Sequence, residues 1–349
     1  MIAAEQPVQR PTDARLLVVD SARSVHELPR AGFVDLLRPH DIVVANDAAT
    51  LPASLQGTHV ATGRPIEARL AARNTLDVGS VADFVAVVFG GGDFRTRTED
   101  RPLPPLLTAG DRLALGPLQA VVTAVLDHPR LVALHFQHTA HEIWAGIAHH
   151  GRPIQYAHLA TPLMLWDVWA PIAGRPVAFE PPSAGFALDW KVIARLRARA
   201  IGFTTITHSA GISSTGDLEL DRRLPFDEPY EISDAAAHAV ASARRAGGRV
   251  VAIGTTVVRA LEHAAGADGT VKAGAGIANQ RIGAATRLKI VDAILTGAHE
   301  HGTSHHDLLR AFMDDVVLNE ADAWLDRCRY RTHEFGDSVF IERDRTPRF

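Results

Sequence analysis

Hydrophobic and polar positions fall into two textures along this chain. In the first, apolar residues run without alternation over strand length. Examples are Ala14-Arg15-Leu16-Leu17-Val18-Val19-Asp20 and Asp41-Ile42-Val43-Val44-Ala45-Asn46-Asp47, the second closing on polar turn residues. Such runs predict strands apolar on both faces, in a sheet covered on two sides. A helix-like segment, Gly32 to Leu37, lies between them.

The same texture returns after residue 180 in β/α order. Trp190 to Ala200 reads as an amphipathic helix with Asp189 as its N-cap, and Gly202 to His208 as a strand. Ser233 caps a helix over Asp234 to Ala246, which Gly247-Gly248 ends. Arg249 to Ile253 predicts a strand, Gly254-Thr255-Thr256 a tight turn, and Val257 to Ala265 a helix. A long helix is expected over His305 to Phe312, another over Glu320 to Arg327, and a last strand over Ser338 to Ile341.

From Leu55 to Gly151 the texture differs. Short runs such as Phe84 to Phe89, Arg112 to Leu115 and Leu131 to Phe136 are separated by turn clusters, among them Gly90-Gly91-Gly92-Asp93 and Arg101-Pro102-Leu103-Pro104-Pro105. Short strands at regular spacing predict a small antiparallel β-barrel. His138 to His149 then reads as a helix.

Composition narrows the function. At about 150 residues per domain, 349 residues imply two domains or one with an insertion. A net charge of −4 removes the global basic excess of a sequence-independent nucleic-acid binder, and leaves room for a local patch. Cys328 is the one cysteine, which excludes a disulfide framework and Cys-rich metal sites and fits a reducing, cytoplasmic setting. No run approaches 18 apolar residues, so no membrane-spanning helix is expected, and Met1 to Pro7 does not read as a signal peptide. The 36 basic residues include only Lys191, Lys272 and Lys289, which leaves 33 arginines and little lysine for Schiff-base chemistry.

Candidate chemistry gathers at strand ends. In Val250 to Arg259, a glycine turn followed by Thr255 and Thr256 places hydroxyls and free amides where a helix starts, which suits an anion or a polar ligand edge. The P-loop spacing is absent. Asn46-Asp47 also ends a strand, although Asn-Asp equally suits a turn. His208 ends an apolar strand beside Ser209-Ala210-Gly211, where it is placed to face a pocket. The clusters His138/His141, His149-His150 and His299-Glu300-His301 with His305-His306 lack the H-E-x-x-H pattern, so no metal site is expected. The acidic run Asp217 to Glu228 reads as a loop able to bring a carboxylate over a pocket, and Gly336-Asp337 as a turn or a further carboxylate. Arg259 and Glu262, three residues apart on one helix face, are expected to pair.

Taken in order, these segments resemble one family, the S-adenosylmethionine:tRNA ribosyltransferase-isomerases of queuosine biosynthesis. The carrying pieces are Arg15 to Asp20, Asn46-Asp47 with Pro52-Ala53, Ala184-Gly185, Glu228 with Glu231, Gly254-Thr255-Thr256 with Val258-Arg259 and Leu261-Glu262, Lys289 with Val291-Asp292-Ala293, Thr296 with His299, and Gly336-Asp337.

The resemblance implies an α/β main domain, a mixed sheet with flanking helices, formed by residues 1–55 and 152–349. An antiparallel barrel is inserted at 56–151. It also implies that S-adenosylmethionine serves as a co-substrate, with no prosthetic group. Its ribosyl part would be transferred to a 7-aminomethyl-7-deazaguanine in tRNA and rearranged, with adenine and methionine leaving. Glu228, Asp47, His299 and His208 are the implied catalytic candidates. Asn46, Gly185, Gly254, Thr255, Thr256, Arg259, Glu262 and Asp337 are the implied binding candidates.

The chain also departs from the family pattern. Ala49 and Ser54 stand where the family carries arginine, and Pro182-Ser183-Ala184-Gly185-Phe186-Ala187-Leu188 lacks the histidine of P-T-A-G-L-H-F. Two alternatives therefore stay open. One is a paralogue that uses S-adenosylmethionine or a related adenosyl compound with a small-molecule acceptor. The other is an inactive scaffold that binds an adenosyl ligand.

Overall fold

The computed structural model describes residues 1–344. In chain order the elements are β1 (Arg15–Val19), β2 (Val25–Pro29) and β3 (Ile42–Asn46). Then come β4 (Ser54–His59), β5 (Pro65–Ala72), β6 (Asp83–Gly90), β7 (Arg112–Leu115), β8 (Leu118–Val125), β9 (Leu131–Phe136) and α1 (Ala140–His150). The second half holds α2 (Trp190–Ala198), β10 (Gly202–His208), β11 (Glu228–Ile232), α3 (Asp234–Arg245), β12 (Val250–Ile253) and α4 (Thr255–His263). It closes with β13 (Gly274–Ala278), β14 (Ala293–Gly297), α5 (Ser304–Leu309), α6 (Asp315–Arg327) and β15 (Ser338–Glu342).

Strands β4 to β9 close into a six-stranded antiparallel barrel, in the order β8-β9-β6-β5-β4-β7. The remaining nine form one mixed sheet, β13-β11-β10-β3-β12-β14-β15-β1-β2. At its centre β10, β3, β12 and β14 run parallel.

The unbroken apolar runs have the expected cause. Leu17, Val44, Ala252 and Ile294 point to one face and pack with Val240 of α3, Leu261 of α4 and Leu325 of α6. Their neighbours Leu16, Val43, Val251 and Leu295 point to the other and pack with Phe33, Val34 and Leu196 of α2. Both faces are covered, so no alternation is needed.

Two local expectations are corrected. Helix α4 begins at Thr255, so both threonines lie in its first turn rather than in a preceding turn. The long helix expected from His305 ends at Leu309, whose carbonyl accepts the amides of Phe312 and Met313 in a closing turn, and Asp314 then caps a new helix by accepting the amide of Val317.

The two ends of the parallel strands are built differently. At the amino ends, Arg249 is buried between two carboxylates. Its Nε and Nη2 donate to Asp41 Oδ2 at 3.0 and 2.6 Å, and its Nη1 donates to Glu342. This charge cluster ties the starts of β3 and β12 to the end of β15. The carboxyl ends carry the open cleft described next.

Removing the cation would strand two buried carboxylates. Arg249→Met is expected to lower the unfolding free energy by about 3–5 kcal/mol in a denaturant titration. Adding Asp41→Asn and Glu342→Gln should recover part of that loss. An unchanged midpoint for Arg249→Met would refute this account.

Candidate active site

A cleft open to solvent lies at the carboxyl ends of β10, β12 and β14, where open α/β sheets bind ligands. Its floor is the β12–α4 junction. Gly254 has φ +91°, a left-handed conformation that favours glycine, and a Cβ there would sit 3.3 Å from that of Ala184. The turn points the first amides of α4, with Thr255 and Thr256, into the cleft.

One wall is an ion pair taken out of water. Arg259, one turn into α4, donates through Nη1 to Glu228 and through Nη2 to the carbonyls of Ala278 (2.7 Å) and Phe226 (3.3 Å). Burial lowers this guanidinium to about 10, which still leaves it charged at neutral pH. Glu228 opens β11, and its other oxygen accepts the Gly211 amide at 2.6 Å. A Cβ on residue 211 would lie 2.9 Å from that oxygen, so the approach requires glycine.

Behind this pair lies His208. It is fully buried, its Nε2 is 3.5 Å from Glu228, and neither ring nitrogen has a hydrogen-bond partner. Burial, then Arg259, pushes its pKa well below the usual histidine value, so it is a neutral ring and not an ion-pair partner. The expectation that it faces a pocket is corrected, because Glu228 and Arg259 stand between it and the cleft.

The opposite wall is histidine-rich. Beyond β14, His299 bonds Thr296 Oγ1 through Nε2 at 2.7 Å, and its ring packs edge-on against His305, centroids 4.9 Å apart. Burial holds His299 well below its usual pKa and His305 at about 4, so both are neutral near pH 7. A second chamber, about 1470 Å³ and open to solvent, continues past His299 to His158, His333 and Glu334.

Glu180 lines both chambers and is 6% exposed. One of its oxygens meets the Tyr156 hydroxyl and the other accepts the Ser213 amide at 3.1 Å. Burial raises its carboxyl to about 7, against the opposing pull of Ser213 and Tyr156.

The remaining expected residues lie outside the cleft lining. Asn46 braces it from behind. Its side chain accepts the amides of His208 and Ala48, and donates to the His208 carbonyl and to Thr256 Oγ1. Asp47 accepts the hydroxyls of Thr205 and Thr207, both at 2.7 Å. Gly185 is buried behind Ser183 and Ala184, which do line the cleft.

The expected Arg259–Glu262 pair does not form. Glu262 accepts three consecutive backbone amides, from Lys289, Ile290 and Val291, because Arg259 points toward β11 and β13. Asp337 is held by the amides and guanidiniums of Arg15 and Arg331, and its own carbonyl accepts the Ala298 amide just past β14. Burial alone would raise that carboxyl, but these contacts hold it below the usual range.

Sequence reasoning missed Glu180, Tyr156 and Ser213, which lie in irregular segments with no spacing signal, and it met His305 only within a histidine cluster weighed as metal ligands; only the fold brings the four together. The two positions lacking the family arginines also lie outside the cleft lining. Ala49 sits in a two-residue strand paired with Pro176 and Ala178. Ser54 bonds Glu67 inside a buried barrel network that already holds Arg69 and Arg101.

Comparison with known proteins points one way. A family model described as "Queuosine biosynthesis protein" matches residues 1–341. The chain is 31% identical to an S-adenosylmethionine:tRNA ribosyltransferase-isomerase of Thermosynechococcus vestitus, covering 97% of this chain and 92% of that one. It is 32% identical to the enzyme of the same name from Sorangium cellulosum, covering 98% and 95%. Among solved structures, an S-adenosylmethionine tRNA ribosyltransferase of Thermotoga maritima shares the fold at TM-score 0.51 and 21% identity, over 97% of this chain and 96% of that one.

The wall pair gives a direct test. Arg259→Met leaves Glu228 buried without its cation and is expected to cost about 3–5 kcal/mol in unfolding free energy. Arg259→Met with Glu228→Gln should be more stable than Arg259→Met alone. If the double variant is the weaker one, the two side chains do not act as a buried pair.

Proposed function

This chain belongs to the queuosine biosynthesis protein family, and we propose that the cleft at the carboxyl ends of β10, β12 and β14 is where it binds and cleaves S-adenosylmethionine. The protein is an S-adenosylmethionine:tRNA ribosyltransferase-isomerase. One observation carries the siting. Ala184, Glu228, Gly254 to Thr256, Arg259, Thr296 and His299 come from separate segments that resemble the family, and all of them line this one cleft.

The reaction moves the ribosyl part of S-adenosylmethionine onto the aminomethyl group of a 7-deazaguanine in tRNA. It needs three things of the protein: a grip on the methionine carboxylate, a base for the acidic proton beside the sulfonium, and a proton for departing adenine. We assign the carboxylate to the first turn of α4. There the amides, the Thr255 and Thr256 hydroxyls and the positive end of the helix dipole act together. Glu228 and Arg259 hold that helix against β11 and β13.

His299 and His305, kept neutral by burial, can hydrogen-bond an adenine edge without adding positive charge beside a sulfonium cation. No charged histidine then opposes the substrate's own charge. The tRNA approaches from the open side of the second chamber, and S-adenosylmethionine is a co-substrate. No helix among the described residues is long and apolar enough to cross a membrane. A cytoplasmic setting follows from the tRNA substrate.

Adenine and methionine release from S-adenosylmethionine tests the assignment. Release is expected only when tRNA carrying the aminomethyl-deazaguanine is present. Release without tRNA would indicate a small-molecule acceptor, and tight binding without release would indicate an inactive scaffold.

A further inference from the structure

Glu180 and Tyr156 form a unit that no expected role uses. Tyr156 has one hydroxyl proton but two acceptors within reach. Its oxygen meets Glu180 Oε1 and also lies 3.0 Å from the Ser214 carbonyl, which can only accept. With Glu180 ionised, the phenol donates to the carboxylate. With Glu180 protonated, the carboxyl donates to the phenol oxygen and the phenol turns its proton to Ser214. Throughout, Glu180 Oε2 keeps the Ser213 amide at 3.1 Å. Both protonation states of Glu180 are therefore hydrogen-bonded in a site where an unpaired polar group would be costly.

Of the other carboxylates lining the cleft, Asp307 is exposed and lies 3.6 Å from Arg310, and Glu228 lacks this freedom. Both oxygens of Glu228 are occupied, one by Arg259 and one by the Gly211 amide, and the pair is locked to β13.

We propose that Glu180 is the proton-accepting base of the cleft, and that Tyr156 is the positioning residue that lets it change protonation state without losing a partner. The proposal rests on the reading of the cleft given above. In the step assigned to Glu180, the C–H bond beside the sulfonium breaks and its electron pair stays on carbon. The proton passes to the Glu180 carboxylate, and the neutral acid later returns a proton to water. A base is most effective when its pKa lies near the working pH, and burial places Glu180 at about 7.

The charged and titratable groups around it come from several segments. Tyr156 is pushed well above its usual range by burial and then by Glu180, so the phenol keeps its proton. Glu334 faces Glu180 and raises it, and is itself held low because His158 and His333 outweigh its burial. Arg69 lies behind the Tyr156 ring.

Glu180→Gln mimics the protonated acid. Its amide nitrogen can donate to Tyr156 and its oxygen can accept from Ser213, so folding and S-adenosylmethionine affinity should be kept. Turnover should fall roughly 100-fold or more. Wild-type kcat should rise with pH through about 7 as Glu180 ionises, and Glu180→Gln should lose that limb. Tyr156→Phe removes a donor to the ionised form, so the limb should move to higher pH.

Wild-type turnover in Glu180→Gln would overturn the proposal, and an unmoved limb in Tyr156→Phe would overturn the part given to Tyr156. If the wild type itself releases no adenine with modified tRNA, the reading of the cleft fails. Infrared titration then decides on Glu180 separately. A protonated-carboxyl band that titrates near neutral pH and is missing in Glu180→Gln supports the assignment, and the absence of such a band overturns it.

Discussion

The Arg259–Glu228 pair holds the cleft together. Taking two charges out of water costs several kcal/mol per ion, and only close geometry with further hydrogen bonds offsets it. Here Arg259 also binds the carbonyls of Phe226 and Ala278, and Glu228 binds the Gly211 amide. Three segments are thereby fixed to the first turns of α4: the start of β11, the end of β13 and the loop after β10. The position of Thr255 and Thr256, and the burial of His208, depend on this arrangement.

Electrostatics divide the cleft into two halves. Around α4, a full cation and a full anion neutralise each other. Around the second chamber, burial keeps His299 and His305 uncharged and raises Glu180. Carboxylates in unlike surroundings take unlike roles, and a cleft that separates a fixed charge from a titrating one can both hold a ligand and move a proton. The histidine side of the lining suits a cationic substrate, since both rings are neutral there, whereas Arg281, which donates to the Arg222 carbonyl, adds a positive charge to the lining of the cleft.

Much of the fold was legible because burial on both faces writes itself into a strand. Leu16 to Val19, Ile42 to Ala45 and Val250 to Ile253 could be placed in a covered sheet from their unbroken apolar runs. The barrel was legible from short runs and turn clusters. Less of the site could be read. Gly254-Thr255-Thr256 announced itself because a strand, a turn and a helix start are local events. The Arg259–Glu262 pairing failed for the opposite reason: helical spacing places two residues on one face, but a partner from another strand, Glu228, outcompeted the local one. Asp337 looked like a turn carboxylate and proved to be a clamp for Arg15 and Arg331.

Sequence alone determined the covered sheet, the small barrel and the glycine turn that starts α4. Each follows from periodicity or from backbone preference over a few neighbouring residues. Tertiary structure alone decided which ionisable groups are charged, which share a cavity and which are only braces. Glu180 is an ordinary surface-type residue in the sequence. It becomes a buried acid near pH 7 because the fold takes it out of water and brings Glu334 near, against the downward pull of its hydrogen bonds to Ser213 and Tyr156. Desolvation and proximity are properties of the folded volume, and no run of neighbouring residues encodes them.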